Sequence, residues 1–244
     1  MGSSPIWPST MPKNENAIKF SMTNHRKISL TAGLFYLLTF VSIPTLAMYG
    51  PIKSAEFITS ANSDTGAIIS VILEIIVALA GVVTAVVLYP ILKKQSQGMA
   101  LGLVASRILE AASIFVGTVF IMAIVTLHQT NAGVNYLTSS HVLAILHDRM
   151  FLQSQSFMPA INDLLLGILF YKSRLVPRSL SLIGVVGAFP LLAGYVVIMF
   201  NGAPQHGSLA GLASLLVALF ELSLGIWLVI KGFDAKAVAR LESK

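Results

Sequence analysis

AIISVILEIIVALAGVVTAVVLYPIL, residues 67–92, holds one charged side chain, Glu74, in a run long enough to cross a lipid bilayer. Crossing the hydrocarbon core takes roughly 20 apolar residues in an α-helix, and only a helix or a closed barrel satisfies its backbone polar groups there. The run therefore predicts a transmembrane helix. Working outward from it, residues 28–49, 99–127, 180–200 and 208–230 read the same way. A weaker stretch ends at Tyr171. Because residues 157–171 alone are too short, it begins near Gln153 and carries a kink at Pro159. The expected fold class is all-α: a polytopic membrane protein of six transmembrane helices.

Composition points the same way. The 244 residues are 55% hydrophobic and 11% charged, with a mean hydropathy of +0.81. An average soluble domain carries roughly 25% charged residues, so a soluble enzyme, a disordered regulator and a fibrous protein are all excluded. The absence of cysteine removes disulfides, thiolate nucleophiles and cysteine metal sites. A net charge of +6 reads as topology, not as a nucleic-acid footprint. Of the 16 lysines and arginines, all but Lys53, Arg149 and Arg107 fall on the side of the N-terminus, and positive flanks resist translocation. Both termini are therefore expected in the cytoplasm. Residues 1–27 read as a disordered polar tail in which Met22 is a candidate natural start, 28–231 as the six-helix domain, and 232–244 as a cytoplasmic tail.

Between spans three and four, Val142, Leu143, Leu146 and Met150 share one side of a helix, opposite His141, Ala144 and Asp148. This reads as an outer amphipathic helix at the membrane interface; the alternative is the upper part of one long fourth helix. No internal repeat is visible.

Ionisable groups inside the spans are the informative ones, since each costs at least ~2.5–3.5 kcal/mol to place at mid-bilayer. Arg107, Asp163 and Glu221 fall roughly 13–15 Å from their cytoplasmic helix ends and Glu110 about 18 Å, close to one depth; Glu74 falls about 27 Å up. Each acid shares a helix face with small residues: Ser70, Gly81 and Thr84 beside Glu74; Ser106 and Gly117 beside Glu110; Ala160 and Gly167 beside Asp163; Ser214, Ala218 and Gly225 beside Glu221. Small residues let helices approach closely in lipid, so the charges lie on packing faces and the bundle has a polar centre. Two readings of that centre stand side by side. In one, Arg107 pairs with Glu110 at i,i+3 and with Asp163 or Glu221 across the bundle, and fixes helix register. In the other, three acids against one guanidinium leave at least one carboxyl holding a proton at neutral pH, poised for proton or cation exchange.

Secondary candidates are Glu74, His147 and Asp148, the last two an acid–base pair or a polar anchor at the headgroup level. His141 and His147 lack metal-ligand spacing, and no nucleotide loop, Walker lysine or serine elbow occurs. Neither a metal nor a cofactor is expected.

The segments RKISLTAGLFYL (26–37), LYPIL (88–92), LVASRILEA (103–111) and YKSRLVPR (171–178) carry a family resemblance. From about residue 23 to 232 the chain resembles the prokaryotic membrane proteins of domain of unknown function 4386, with the arginine–glutamate pair and the arginine–proline inner loop as the most specific features; the first 21 residues fall outside the pattern. The resemblance implies a multi-pass protein of a bacterial or archaeal cytoplasmic membrane, and implies no activity. From the residues themselves, three functions are expected in descending order. The first is a small transporter or permease-like protein handling protons, a cation or a polar solute. The second is a non-catalytic scaffold or sensor meeting a lipid or protein partner. The third is a membrane-embedded hydrolase using Glu74, His147 and Asp148.

Overall fold

Long apolar runs with no water to compete for their backbone bonds become helices, and their outward faces stay apolar. The computed structural model describes residues 15–60, 63–130 and 133–243. In chain order these form α1 (Glu15–Leu38), a 3₁₀ turn (Thr39–Ser42), α2 (Ile43–Ile52), the short α3 (Ala55–Thr59), α4 (Thr65–Leu92) and α5 (Gln97–Gln129). A second 3₁₀ turn (Gly133–Tyr136) leads to α6 (Leu137–Leu152), a single π turn (Gln153–Phe157) and α7 (Met158–Ser173). Then follow α8 (Arg178–Met199), α9 (Ser208–Ile230) and α10 (Ala235–Glu242). Among the described residues there is no strand. Five helical stretches among the described residues are long and apolar enough to cross a membrane: Asn24–Ile52, Thr65–Leu92, Gln97–Gln129, Arg178–Met199 and Ser208–Ile230.

One boundary differs from the sequence expectation, and a second segment bears on an alternative the sequence left open. The first helix begins at Glu15, so residues 15–27, read as disordered tail, belong to it; residues 1–14 lie outside the described residues. The stretch read as an outer amphipathic helix is α6, which does not stop but runs through the π turn into α7. Its orientation reverses that of a helix lying on a soluble core. Val142 and Leu146 face outward, while Ala144 and His147 are buried. When the surrounding solvent is lipid, an apolar face gains nothing by turning inward.

Neighbours in sequence are neighbours in space. α4 packs on α5, α5 on α6 and α7, α7 on α8, and α8 on α9; α9 then meets α1, which leans on α4 and closes the ring. Small residues permit the tightest contacts. A Cβ on Gly33 of α1 would lie 2.8 Å from the Gly225 carbonyl oxygen of α9, and one on Gly184 of α8 would lie 2.6 Å from the Phe220 ring. The exterior carries Leu79, Leu109, Val119, Phe189, Leu212 and Leu215, all more than half exposed.

Two apolar layers divide the interior. Near the basic end, Leu88, Leu103, Leu166, Phe170, Phe220 and Leu224 form a dry core against which α10 sets Ala237, Val238 and Leu241. At the other end Tyr49, Phe57, Val71, Ile121 and Ile124 make a second core. The basic end is latched by main-chain acceptors: Arg26 donates to the Leu228 and Val229 carbonyls at the end of α9, and Arg240 donates to the Ser173 carbonyl at the end of α7. Cations there complement the helix C-termini.

Candidate functional site

Between the two apolar layers sits the charge. Arg107, on α5, is 4% exposed. Its Nη1 donates to Glu110 Oε2 at 2.8 Å, one turn along the same helix. Its Nη2 donates to the Tyr36 hydroxyl of α1 at 3.0 Å and to Glu221 Oε1 of α9 at 3.1 Å. The guanidinium carbon also lies 5.5 Å from the centre of the Tyr36 ring, a cation–π arrangement. Glu110 Oε2 takes a second bond at 2.8 Å, from Asn162 Nδ2 on α7. One planar fork thus joins α1, α5 and α9, and Glu110 adds α7. Arginine suits this task because its donors are fixed in one plane.

Asp163, next to Asn162, is fully buried and interacts electrostatically with Glu221, Arg107 and Glu110. Among the described residues neither of its oxygens has a hydrogen-bond partner. The sequence left open which acid Arg107 would meet across the bundle; that acid is Glu221. Unpartnered buried carboxylate oxygens are costly.

A cleft reaches the cluster. One cavity of about 190 Å³ is lined by Arg107, Glu110 and Glu221, together with Phe40, Gln155 and Pro159. A second, of about 450 Å³, includes Phe151, Gln205, His206 and Gly211. The two share Ser42, Ile43, Gln155 and Ser214, so they adjoin. Together they lead from the His206 end down to the charges, while the dry core beyond Tyr36 closes the basic end. Proline makes this space. Its ring clashes with the carbonyl four residues back and removes a helical N–H. Four residues before Pro44 is Phe40, in the 3₁₀ turn; four before Pro159 is Gln155, in the π turn. Both displaced residues line the cleft. Irregular backbone at membrane depth is tolerated where it borders a cavity, and π turns recur at functional sites. Glycine and small residues of α9 serve two ends. Gly225 packs against Tyr36 and Leu37, whereas Gly211, Ser214 and Ala218 line the cleft.

The secondary candidates gather elsewhere, around Tyr49. Its ring lies 4.6 Å from that of His147, and its hydroxyl is an electrostatic neighbour of Glu74. Glu74 is buried, with Oε1 unpartnered. Lys53 binds Asp148, and Gln205 Nε2 donates to the Asp148 carbonyl at 2.8 Å. His147 Nδ1 stands 3.7 Å from Asp148, and among the described residues neither ring nitrogen has a hydrogen-bond partner. Acid–base chemistry works within about 3 Å or through one water, so these three residues form no connected relay. Among the described residues no group of His, Asp and Glu could hold a metal ion.

Tyr36, Asn162 and Pro44 were not singled out from the sequence. Asn162 carried a signal, as an amide beside Asp163 in mid-span; Tyr36 and Pro44 looked ordinary in an apolar run. Comparison with curated proteins and with solved structures finds no match. A family model does match, over residues 31–232, and the chain belongs to that family, the domain of unknown function DUF4386.

Proposed function

We propose that this protein is a small carrier of the cell membrane, with six spans and both ends in the cytoplasm. It takes a polar or cationic solute from the outer side into the cleft and exchanges it against a proton held on the core carboxyls. The continuous run of α6, π turn and α7 supplies the sixth crossing. The orientation rests on the basic residues gathered at the end where α10 lies.

The observation that carries this reading is the cleft ending on Arg107, Glu110 and Glu221. A core that served only to lock helices has no need of a cleft that reaches its charges. The acid count supports it further. One guanidinium is shared by Glu110 and Glu221, so with Asp163 two of the three carboxyls are in excess; fully buried Asp163 holds a proton, and Glu110 and Glu221, which line the cleft, meet the arriving solute. Coupled transporters use intramembrane acids in this way. The apolar layer below Tyr36 makes the described conformation an outward-open one, in keeping with access from one side at a time.

A second reading, a scaffold or sensor whose core fixes register, is favoured by one observation: Arg107 engages three partners on three helices. Flux separates the two. The full chain is reconstituted in liposomes loaded with a pH-sensitive dye and challenged with sodium, potassium, small amines and amino acids. The carrier reading expects a solute-dependent change of internal pH, lost in Asp163→Asn and Glu221→Gln. No pH change with any of these solutes, alongside core variants that alter only melting temperature, would establish the scaffold.

A further inference from the structure

At the opposite end from the cleft lies a larger open pocket, of about 640 Å³, walled by the connections α7–α8 and α9–α10. Its cations are Arg174, Arg178 and Lys231. Its floor is apolar: Leu175 and Val176 are buried, and Trp227 is partly so. Arg178 also lies 4.9 Å from the centre of the Tyr171 ring. We infer that this pocket binds the phosphate headgroup of an anionic phospholipid, with Arg174, Arg178 and Lys231 on the phosphate and Trp227 against the glycerol and upper acyl chains.

Four features converge on that occupant. First, the three cations have no acidic partner within ion-pair distance among the described residues, whereas Arg26 and Arg240 nearby are engaged by helix-end carbonyls. Second, the one acid in the wall, Asp234, is turned to its own helix, where Oδ1 accepts from the Ala237 N–H at 2.8 Å. Third, the pocket is built before any ligand arrives. The Asp234 N–H donates to the Leu175 carbonyl at 2.9 Å and ties the two connections together, and Arg174 is set in the left-handed region with φ 60°, its N–H returning to Phe170. Fourth, α8 starts at Arg178, so the positive end of its dipole opens on the same space.

Topology alone asks for basic residues on this side; it does not ask for a cavity with an aromatic wall. Basic pockets between membrane helices bind anionic headgroups, and tryptophan at the interface sits at headgroup level. A free phosphate would use the cations but not Trp227. The site is independent of what crosses the cleft.

Trp227 is itself the reporter, since the chain has two tryptophans, Trp7 and Trp227. In Trp7→Phe, reconstituted as the full chain, Trp227 fluorescence is quenched by phosphatidylglycerol or phosphatidylcholine brominated on the acyl chain. The expected result is several-fold stronger quenching by the anionic lipid at equal mole fraction. Replacing Arg174, Arg178 and Lys231 together by Gln abolishes that preference, whereas Lys93→Gln with Lys94→Gln, at the same end but outside the pocket, keeps it. Equal quenching by both lipids, or a preference surviving the triple replacement, would overturn the inference. So would an equal loss with the lysine pair, which would assign the effect to bulk surface charge. Abolition of the preference by millimolar inorganic phosphate would make the ligand a free anion and overturn the lipid assignment.

Discussion

Glu110 on α5 and Asn162 on α7 meet at 2.8 Å through the same carboxylate oxygen that receives Arg107. That shared atom makes the arginine's neighbourhood a single unit reaching four helices, with the next residue, Asp163, inside its field but outside its hydrogen bonds. Substitutions in the unit are therefore expected to divide sharply by which atom they remove.

Arg107 is the member whose loss leaves charge uncompensated. Removing one partner of a buried ion pair costs about 3–5 kcal/mol, so Arg107→Ala is expected to lower the melting temperature of the purified protein strongly or abolish its folding. Arg107→Lys keeps the charge but not the planar fork and should fall between wild type and Arg107→Ala. Tyr36→Phe, which deletes one hydrogen bond and keeps the ring, should cost about 1 kcal/mol. Thermal unfolding in one detergent checks the order; a Tyr36→Phe loss as large as that of Arg107→Ala would contradict it.

Asp163→Asn is expected to behave in the opposite sense. Asp163 has no hydrogen bond to lose, and replacing a carboxyl in a dry site by a neutral amide removes a desolvation penalty. Its melting temperature should match or exceed that of wild type. A loss comparable with Arg107→Ala would mean that Asp163 is a structural ion-pair partner after all.

Much of this architecture is legible in the sequence because lipid simplifies the reading: hydropathy marks the helices, and small residues beside each acid mark the inward faces. What escapes is set by geometry between helices. Tyr36 is neutral and unremarkable in an apolar run until the arginine it serves is placed, and the amide of Asn162, though unusual in mid-span, does not name its partner. The choice of Glu221 over Asp163 as the cross-bundle partner depends on side-chain reach, which spacing along each helix cannot supply. α6 stayed open between an interfacial helix and the upper part of the fourth span because a stripe of Val142 and Leu146 suits lipid in either place, and the burial of His147 depends on neighbours that spacing along one helix does not supply. The cleft was half visible, since Pro159 announced a break and Pro44 passed unnoticed.

Close approach of α1 and α9 makes a contrast between two glycines. A Cβ on Gly33 meets the Gly225 carbonyl oxygen at 2.8 Å and Leu228 Cβ at 2.9 Å, and backbone cannot step aside cheaply; a Cβ on Gly66 meets nothing within 4 Å. Overpacking costs about 1–3 kcal/mol, so Gly33→Ala should lower the melting temperature. Gly66→Ala, in the first turn of α4, should leave it unchanged or raise it by up to about 1 kcal/mol in stability. Equal effects would mean that α1 and α9 do not touch where the ring closes.

Access to the charged cluster is the relationship on which the carrier reading turns, and a chain without cysteine is ready for thiol labelling. Ser214 and Ala218 line the cleft, whereas Leu224, two turns below Val217 on α9, is fully buried in the dry core. In intact cells a membrane-impermeant maleimide should therefore modify Ser214→Cys and, more slowly because it lies deeper, Ala218→Cys. Leu224→Cys should stay unmodified until the protein is denatured. Lys94→Cys, at the basic end, should react only after the membrane is opened, because the proposed orientation puts that end in the cytoplasm. Labelling of Lys94→Cys from outside with Ser214→Cys protected would invert the protein in the membrane. Protection of Ser214→Cys and Ala218→Cys from both sides would close the cleft and leave Arg107 the keystone of a dry scaffold.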